Sequence, residues 1–98
     1  MRLEGKSIVV TGASAGMGQA IVTRFVQEGA YVVAVARRKE RLEELAAELK
    51  DAPGKVIIYA GDVSNPAVCE GMIDLAVKEF GRLDVLVNNA GIMDDNTA

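Results

Sequence analysis

A glycine-rich turn between an apolar run and an amphipathic stretch constrains the fold of this chain most strongly. The turn is Thr11-Gly12-Ala13-Ser14-Ala15-Gly16-Met17-Gly18, and it directly follows the apolar run Ser7-Ile8-Val9-Val10. Glycines let the backbone approach an anion without a Cβ in the way, and the helix that follows presents free N–H groups and its positive dipole end. The segment therefore predicts a strand, a turn that holds the pyrophosphate of a dinucleotide, and a helix.

Each glycine of the turn has a predicted role. Gly12 allows the sharp exit from the strand, Gly16 allows close approach to phosphate, and Gly18 allows the helix to pack on the sheet. The spacing Gly-x-x-x-Gly-x-Gly differs from the common Gly-x-Gly-x-x-Gly, so a purely structural strand-to-helix turn is the alternative.

The same residues also match a nucleophile elbow. Gly12-Ala13-Ser14-Ala15-Gly16 fits Gly-x-Ser-x-Gly, in which an α/β-hydrolase would use Ser14 as nucleophile. Such an enzyme needs a histidine to take the serine proton. The chain contains no histidine, which disfavours this alternative.

Composition excludes several classes of protein. A chain of 98 residues with 50% hydrophobic and 26% charged residues is typical of one soluble domain with a core. A net charge of −3 and few aromatic residues argue against a nucleic-acid partner. Cys69, the single cysteine, is expected to be a small buried hydrophobe in a reducing cytoplasm. No apolar segment predicts a leader, a membrane span or a membrane partner.

Strand and helix patterns alternate along the whole chain. The helix that follows Asn65, its predicted N-cap, is expected to turn Met72, Ile73, Ala76 and Val77 inward. Strands that are apolar on both faces and alternate with helices predict an α/β fold with a doubly wound parallel sheet. The predicted strands are Ile8–Thr11, Tyr31–Ala36, Val56–Ala60 and Val85–Asn88, and the predicted helices are Gln19–Glu28, Lys39–Lys50 and Asn65–Phe80.

Candidate ligand-binding residues follow all four predicted strands. Ligands of such sheets bind beyond the carboxyl ends of the strands. The residues at those places are Gly12, Arg37, Asp62 and Asn89.

With the glycine turn, two further motifs complete a family resemblance. Asp62-Val63 follows the third strand and Asn88-Asn89-Ala90-Gly91 follows the fourth. In this order the three motifs resemble the short-chain dehydrogenase/reductase family, and within it the chain is similar to 3-oxoacyl-carrier-protein reductases and hydroxysteroid dehydrogenases. The resemblance implies a Rossmann fold, a carbonyl or secondary alcohol as the small-molecule substrate, and a homo-oligomer.

The resemblance also implies a cofactor site. The backbone around Ser14, Met17 and Gly18 would hold the pyrophosphate, Asp62 and Val63 would contact adenine, and Asn89, Ala90 and Gly91 would border the ribose beside the nicotinamide. Alternatively, Asp62 ends its strand or assists the next helix cap, and the two asparagines are ordinary loop residues. Asn88 is expected to brace the sheet.

The end of the second strand bears on the choice of cofactor. An NAD enzyme of this architecture places a carboxylate about 20 residues after the glycine turn to bind the ribose 2′-hydroxyl. Ala36 stands at that place, followed by Arg37, Arg38 and Lys39, which are suited to a 2′-phosphate. A solvated basic surface is the alternative, although cations are disfavoured at the start of a helix. The sequence favours NADP over NAD.

The family's catalytic Tyr-x-x-x-Lys is absent from this chain. Val35 stands four residues after Tyr31, and Val63 stands four residues after Tyr59. We therefore expect no catalytic residue and no metal ligand here, and we interpret residues 1–98 as the N-terminal, cofactor-binding part of one Rossmann domain in a larger reductase. The fourth strand supports this, because it would otherwise leave a bare apolar edge. The alternative is a non-catalytic nucleotide-binding module that ends at Ala98.

Overall fold

The computed structural model describes residues 3–89, which form one parallel sheet with helices on both faces. The strands lie in the order β3-β2-β1-β4, and every neighbouring pair is parallel. This confirms the predicted doubly wound α/β fold. The elements are β1 (Ser7–Thr11), α1 (Gly16–Gln27), β2 (Tyr31–Ala36), α2 (Lys39–Glu48), β3 (Lys55–Ala60), α3 (Pro66–Phe80) and β4 (Val85–Asn88).

Two apolar clusters, one on each face of the sheet, hold the helices in place. Successive side chains of a strand point to opposite faces, so a strand covered on both faces is apolar along most of its length. On one face of the sheet, Ile8 and the second residue after it, Val10, pack with Val22 of α1 and Leu42 of α2. Val9 and Val33 point the other way, toward Met72 of α3. The uninterrupted apolar runs in the sequence thus reflect burial on both faces.

The structure corrects one predicted core residue and qualifies another. Val77 is 46% exposed, since α3 meets the sheet through the buried residues Met72 and Ala76 and through partly buried neighbours that do not include Val77. Cys69 is half-buried, and its thiol donates a hydrogen bond to the carbonyl oxygen of Val63 at 3.1 Å.

Two helix boundaries differ from the prediction by more than one residue. Helix α1 begins at Gly16 and not at Gln19, because the end of the glycine turn is itself the first helical turn. Helix α2 ends at Glu48, two residues before Lys50. After it, the chain turns, and Gly54 N–H donates to the carbonyl oxygen of Val26 at 2.9 Å.

Strand β4 has the exposed edge that the sequence predicts. Val85 and Leu86 are 44% and 47% exposed, whereas every residue of β1 is buried. Within the described residues β4 pairs only with β1.

Asp84 fastens the beginning of β4 to the beginning of β1. Its carboxylate accepts a hydrogen bond from Ser7 N–H at 2.8 Å and another from Arg82 Nε at 2.9 Å. In return, Asp84 N–H donates to the Ser7 carbonyl oxygen at 2.8 Å. The Ser7 N–H, together with Arg82, holds the pKa of Asp84 below its ordinary value of 3.8.

We expect Asp84 to make the free energy of unfolding depend on pH in the acidic range. A carboxylate whose folded pKa is lowered stabilises the fold fully above its unfolded pKa, and that contribution disappears as the pH falls through the lower, folded pKa. Urea unfolding of the natural protein from neutral pH to about pH 2 should therefore show a loss of unfolding free energy below about pH 4. Asp84→Asn should flatten that loss. Asp74→Asn, at an exposed position of α3, should leave the acid-dependent loss unchanged. An equal reduction of the loss in both variants would contradict the role of Asp84.

Candidate functional site

The carboxyl ends of the strands form one edge of the sheet, and β1 occupies its centre. Thr11 lies beside Val35 of β2 on one side and beside Asn88 of β4 on the other. The chain moves outward from β1 to β2 and β3, then crosses back to β4. A crevice opens at such a reversal of strand order, and it is where ligands of open α/β sheets bind.

The glycine turn enters this crevice and is held by several hydrogen bonds. Gly12 has a φ of +66°, which a residue with a side chain rarely adopts. The N–H of Ala13 donates to Val35 O at 3.0 Å, and Gln19 Nε2 donates to Ser14 O at 3.2 Å. The turn is thus tied both to the neighbouring strand and to its own helix.

Gly18 and Gly16 have different surroundings. A Cβ on Gly18 would overlap the Gly12 carbonyl oxygen and lie 2.7 Å from its carbon and 2.9 Å from Ala13 Cα. Gly18 therefore allows α1 to pack closely against the glycine turn. The sequence predicts instead that Gly18 allows the helix to pack on the sheet. A Cβ on Gly16 would meet nothing within 4 Å. Met17, between them, has a side chain that is 57% exposed.

The beginning of α1 leaves backbone donors without a side-chain partner. Ala15 occupies the N-cap position and makes no capping hydrogen bond, and the first turn carries no acidic residue. The N–H groups of residues 16–18 also lack carbonyl partners within the helix, as at any helix start. In α3, by contrast, Asn65 caps the helix by accepting from Ala67 N–H at 2.9 Å, as predicted. The start of α1 is therefore open to an anion.

Two asparagines connect β4 to β1 and the turn. Thr11 Oγ1 donates to Asn88 Oδ1 at 3.1 Å, which confirms that Asn88 braces the sheet. Asn89 is only 1% exposed, and its Nδ2 donates to Gly12 O at 3.3 Å. Its Oδ1 is buried without a hydrogen-bond partner in the part of the chain described here. The predicted contact of Asn89 with a ribose stays a prediction, and Ala90 and Gly91 lie outside the described residues.

The end of β2 presents cations to the same edge. Ala36 is buried, whereas Arg37 and Arg38 are exposed. Neither arginine side chain forms a hydrogen bond or a salt bridge with another residue between 3 and 89. Arg38 is the N-cap residue of α2 and does not cap it, so both cations stand where the helix dipole opposes them.

Asp62 follows β3 beside these cations. Its Oδ1 accepts from Ser64 N–H at 2.9 Å, which fixes the direction of the carboxylate. Hydrogen bonds from the Ser64 backbone and side chain lower the pKa of Asp62, and the charge of Arg37 lowers it further. Val63, the next residue, is half-buried. The predicted adenine contacts of Asp62 and Val63 are not tested by this geometry.

Sequence reasoning missed two contributors to the site. Gln19 braces the turn through Ser14 O, and Thr11 joins β1 to Asn88 through its hydroxyl group. The sequence contained a signal for each of them. Gln19 is a polar residue at the start of an apolar helix face, and Thr11 carries a hydroxyl group at the end of an apolar strand.

Two further observations concern the described residues. Between residues 3 and 89 there is no group of three or more His, Cys, Asp and Glu side chains arranged to hold a metal ion. No helix in that range has the length and apolarity to cross a membrane.

Comparison with known proteins agrees with this architecture. The short chain dehydrogenase family model matches residues 6–98. The chain is 45% identical over 95 residues to 3-oxoacyl-[acyl-carrier-protein] reductase FabG of Thermotoga maritima, covering 97% of this chain and 39% of that protein. It is 44% identical over 93 residues to 3beta-hydroxysteroid dehydrogenase 2 of Eggerthella lenta, covering 95% of this chain and 36% of that protein.

A solved structure is similar as well. L-sorbose reductase from Gluconobacter frateurii, crystallised with NADPH and L-sorbose, superimposes with a TM-score of 0.80 at 39% identity, covering 86% of this chain and 32% of that chain. The present chain thus spans less than two-fifths of the length of these curated relatives.

The parallel sheet, the glycine turn at its centre and the matching relatives define a Rossmann-like α/β protein. The chain belongs to the short-chain dehydrogenase family.

Proposed function

We propose that this chain binds NADP(H), and that the natural protein carrying it transfers hydride between the nicotinamide and a carbonyl or secondary alcohol. One observation carries the proposal. The uncapped start of α1 and the unpaired cations Arg37 and Arg38 lie along the same edge of the sheet, and they suit the pyrophosphate and the 2′-phosphate of NADP(H) respectively.

The residues present fit such a ligand. The close contact at Gly18 keeps α1 and the turn together, so the free N–H groups of residues 16–18 converge on one place. The open space at Gly16 leaves room for a phosphate against the backbone. In this proposal the backbone of Gly12, Ser14, Gly16, Met17 and Gly18 holds the pyrophosphate.

The preference for NADP rests on the end of β2. Ala36 offers no acceptor for a ribose 2′-hydroxyl, while the guanidinium groups of Arg37 and Arg38 are suited to bidentate contact with a 2′-phosphate. A phosphate bound there would also offset the unfavourable interaction between these two cations and the dipole of α2. The NADPH complex of the L-sorbose reductase supports this choice by similarity.

The remaining contacts position the dinucleotide. Asp62 and Val63 after β3 would border the adenine, and Asn89 with Ala90 and Gly91 would border the ribose next to the nicotinamide. When bound, the nicotinamide supplies or accepts the hydride. The chain's own residues bind and orient the cofactor, and the proton donor of the reaction lies on residues that this chain does not contain.

Three broader features belong to the same proposal. Residues 1–98 form part of a single dinucleotide-binding domain, since one sheet organises both apolar clusters. The protein acts in the cytoplasm, in keeping with its single free cysteine. It assembles as a homo-oligomer, which light scattering of the natural protein would check.

Titration of the complete natural protein with NADPH tests the proposal. We expect saturable binding, seen as a change in NADPH fluorescence, and consumption of NADPH when a panel of ketones and aldehydes is added. Binding without any turnover of carbonyls or alcohols would favour a non-catalytic nucleotide-binding module. The absence of binding at millimolar NADPH would contradict the proposal as a whole.

A further inference from the structure

The ends of β2 and β3 place Arg37 beside Asp62. Ala36 and Ala60 are paired across the two strands, and the N–H of Gly61 donates to Ala36 O at 2.8 Å beyond the last pair. Arg37 therefore leaves β2 next to the loop that carries Asp62. Both side chains are exposed at the same edge of the sheet.

The carboxylate of Asp62 is fixed, whereas the guanidinium of Arg37 is not. Ser64 N–H holds Asp62 Oδ1 at 2.9 Å. Arg37 makes no salt bridge within 4.0 Å in the described part of the chain, although its charge acts on the Asp62 carboxylate. A long cationic side chain beside a fixed anion is drawn toward it, even when the two do not touch.

We propose that Asp62 is a second determinant of cofactor preference, because it attracts Arg37 and thereby competes with the 2′-phosphate of NADPH for that guanidinium. This inference rests on the proposed cofactor. Arg37 is the residue that contacts the phosphate, and Asp62 acts through it as a positioning residue. An adenine contact by Asp62 would affect NADPH and NADH equally, since both cofactors carry the same adenine. Competition for Arg37 affects only NADPH.

Asp62→Asn separates these two roles. The asparagine retains an oxygen that accepts from Ser64 N–H and removes only the charge. We expect the NADPH preference of the natural protein, measured as Kd for NADH divided by Kd for NADPH, to rise about threefold or more, the scale of one exposed charge pair. The rise should shrink in high salt, which screens exposed charges. Asp51→Asn removes the same charge from the loop before β3, at the opposite edge of the sheet, and should leave the preference unchanged.

Arg37→Ala, alone and combined with Asp62→Asn, completes the test. Arg37→Ala should lower the NADPH preference about tenfold, and Asp62→Asn should then have no further effect on it. A rise that persists in the Arg37→Ala background would overturn the inference in favour of direct repulsion between Asp62 and the phosphate. Equal changes for both cofactors would overturn it in favour of an adenine contact alone. If Arg37→Ala leaves the preference unaltered, the proposed NADP site itself is wrong.

Discussion

Gly18→Ala is expected to lower both the stability of the protein and its affinity for the cofactor. The new Cβ would overlap the Gly12 carbonyl oxygen and lie 2.7 Å from the Gly12 carbonyl carbon, so α1 must move away from the turn. Overpacking of this kind costs about 1–3 kcal/mol of unfolding free energy. Movement of the helix also withdraws its N–H groups from a bound phosphate, and the loss of one such charge-assisted hydrogen bond weakens binding by about tenfold or more.

Gly16→Ala, two residues earlier, is the matched control. A Cβ there meets no protein atom within 4 Å, and alanine is the better helix former, so stability should be unchanged or slightly increased. Binding of NADPH should still weaken, because the methyl group occupies the space proposed for the phosphate. Urea unfolding and NADPH titration of both variants measure the two effects. An unchanged NADPH affinity in Gly16→Ala would show that phosphate does not approach the backbone at this residue.

Replacement of Ala36 by aspartate and Arg37 by alanine should move cofactor preference from NADPH toward NADH. The carboxylate accepts a hydrogen bond from the ribose 2′-hydroxyl and repels a 2′-phosphate, and loss of the guanidinium removes the phosphate's partner. The two changes act in the same direction. Each is worth about 1.5–3 kcal/mol, the scale of a hydrogen bond to a charged group, so the ratio of the two dissociation constants should change about a hundredfold or more.

Arg41→Ala is the control for the double variant. Arg41 is exposed on α2, one helical turn beyond the end of β2, and its replacement removes one positive charge from the region, as Arg37→Ala does. It should change the ratio little if the end of β2 is where the 2′ position is recognised. Dissociation constants for both cofactors across the variants decide the matter. A ratio that the double variant leaves unaltered would mean that recognition lies elsewhere.

The order and type of every described element were predictable, because burial on both faces of a parallel sheet leaves a strong trace in the sequence. The bounds of β2 and β4 agree with the prediction, and β1 and β3 each begin one residue earlier. The start of α1 was placed too late, since glycines disfavour helix by propensity, and the packing of Gly18 against Gly12, which explains the glycine at that position, is visible only in the structure. Val77 was misplaced because periodicity puts it on the same side of the helix as Ile73 but does not show where the buried face ends.

The positions of the candidate site residues were predictable, but their contacts were not. The carboxyl ends of parallel strands meet at one edge of a sheet, so Gly12, Arg37, Asp62 and Asn89 had to lie along the same edge. That Asn89 donates to Gly12 O, and that Gln19 supports Ser14, depends on side-chain directions that have no signature in the sequence. The proximity of Arg37 to Asp62 follows from strand pairing, which the sequence alone did not specify.

The hydrogen bond from Asn89 to Gly12 has a consequence for how the protein is made. The two residues are separated by 77 positions, and Asp84 is equally far from the Ser7 that it fastens. A ribosome adds about 5–20 residues per second, so Asn89 is synthesised roughly 4–15 seconds after Gly12. Until then, the turn lacks the hydrogen bond from Asn89. During that interval β1 lacks its β4 neighbour, and its edge is open to other chains. Codons that slow translation between β3 and β4 would lengthen that exposure, whereas a nascent-chain chaperone bound at the edge of β1 would protect it.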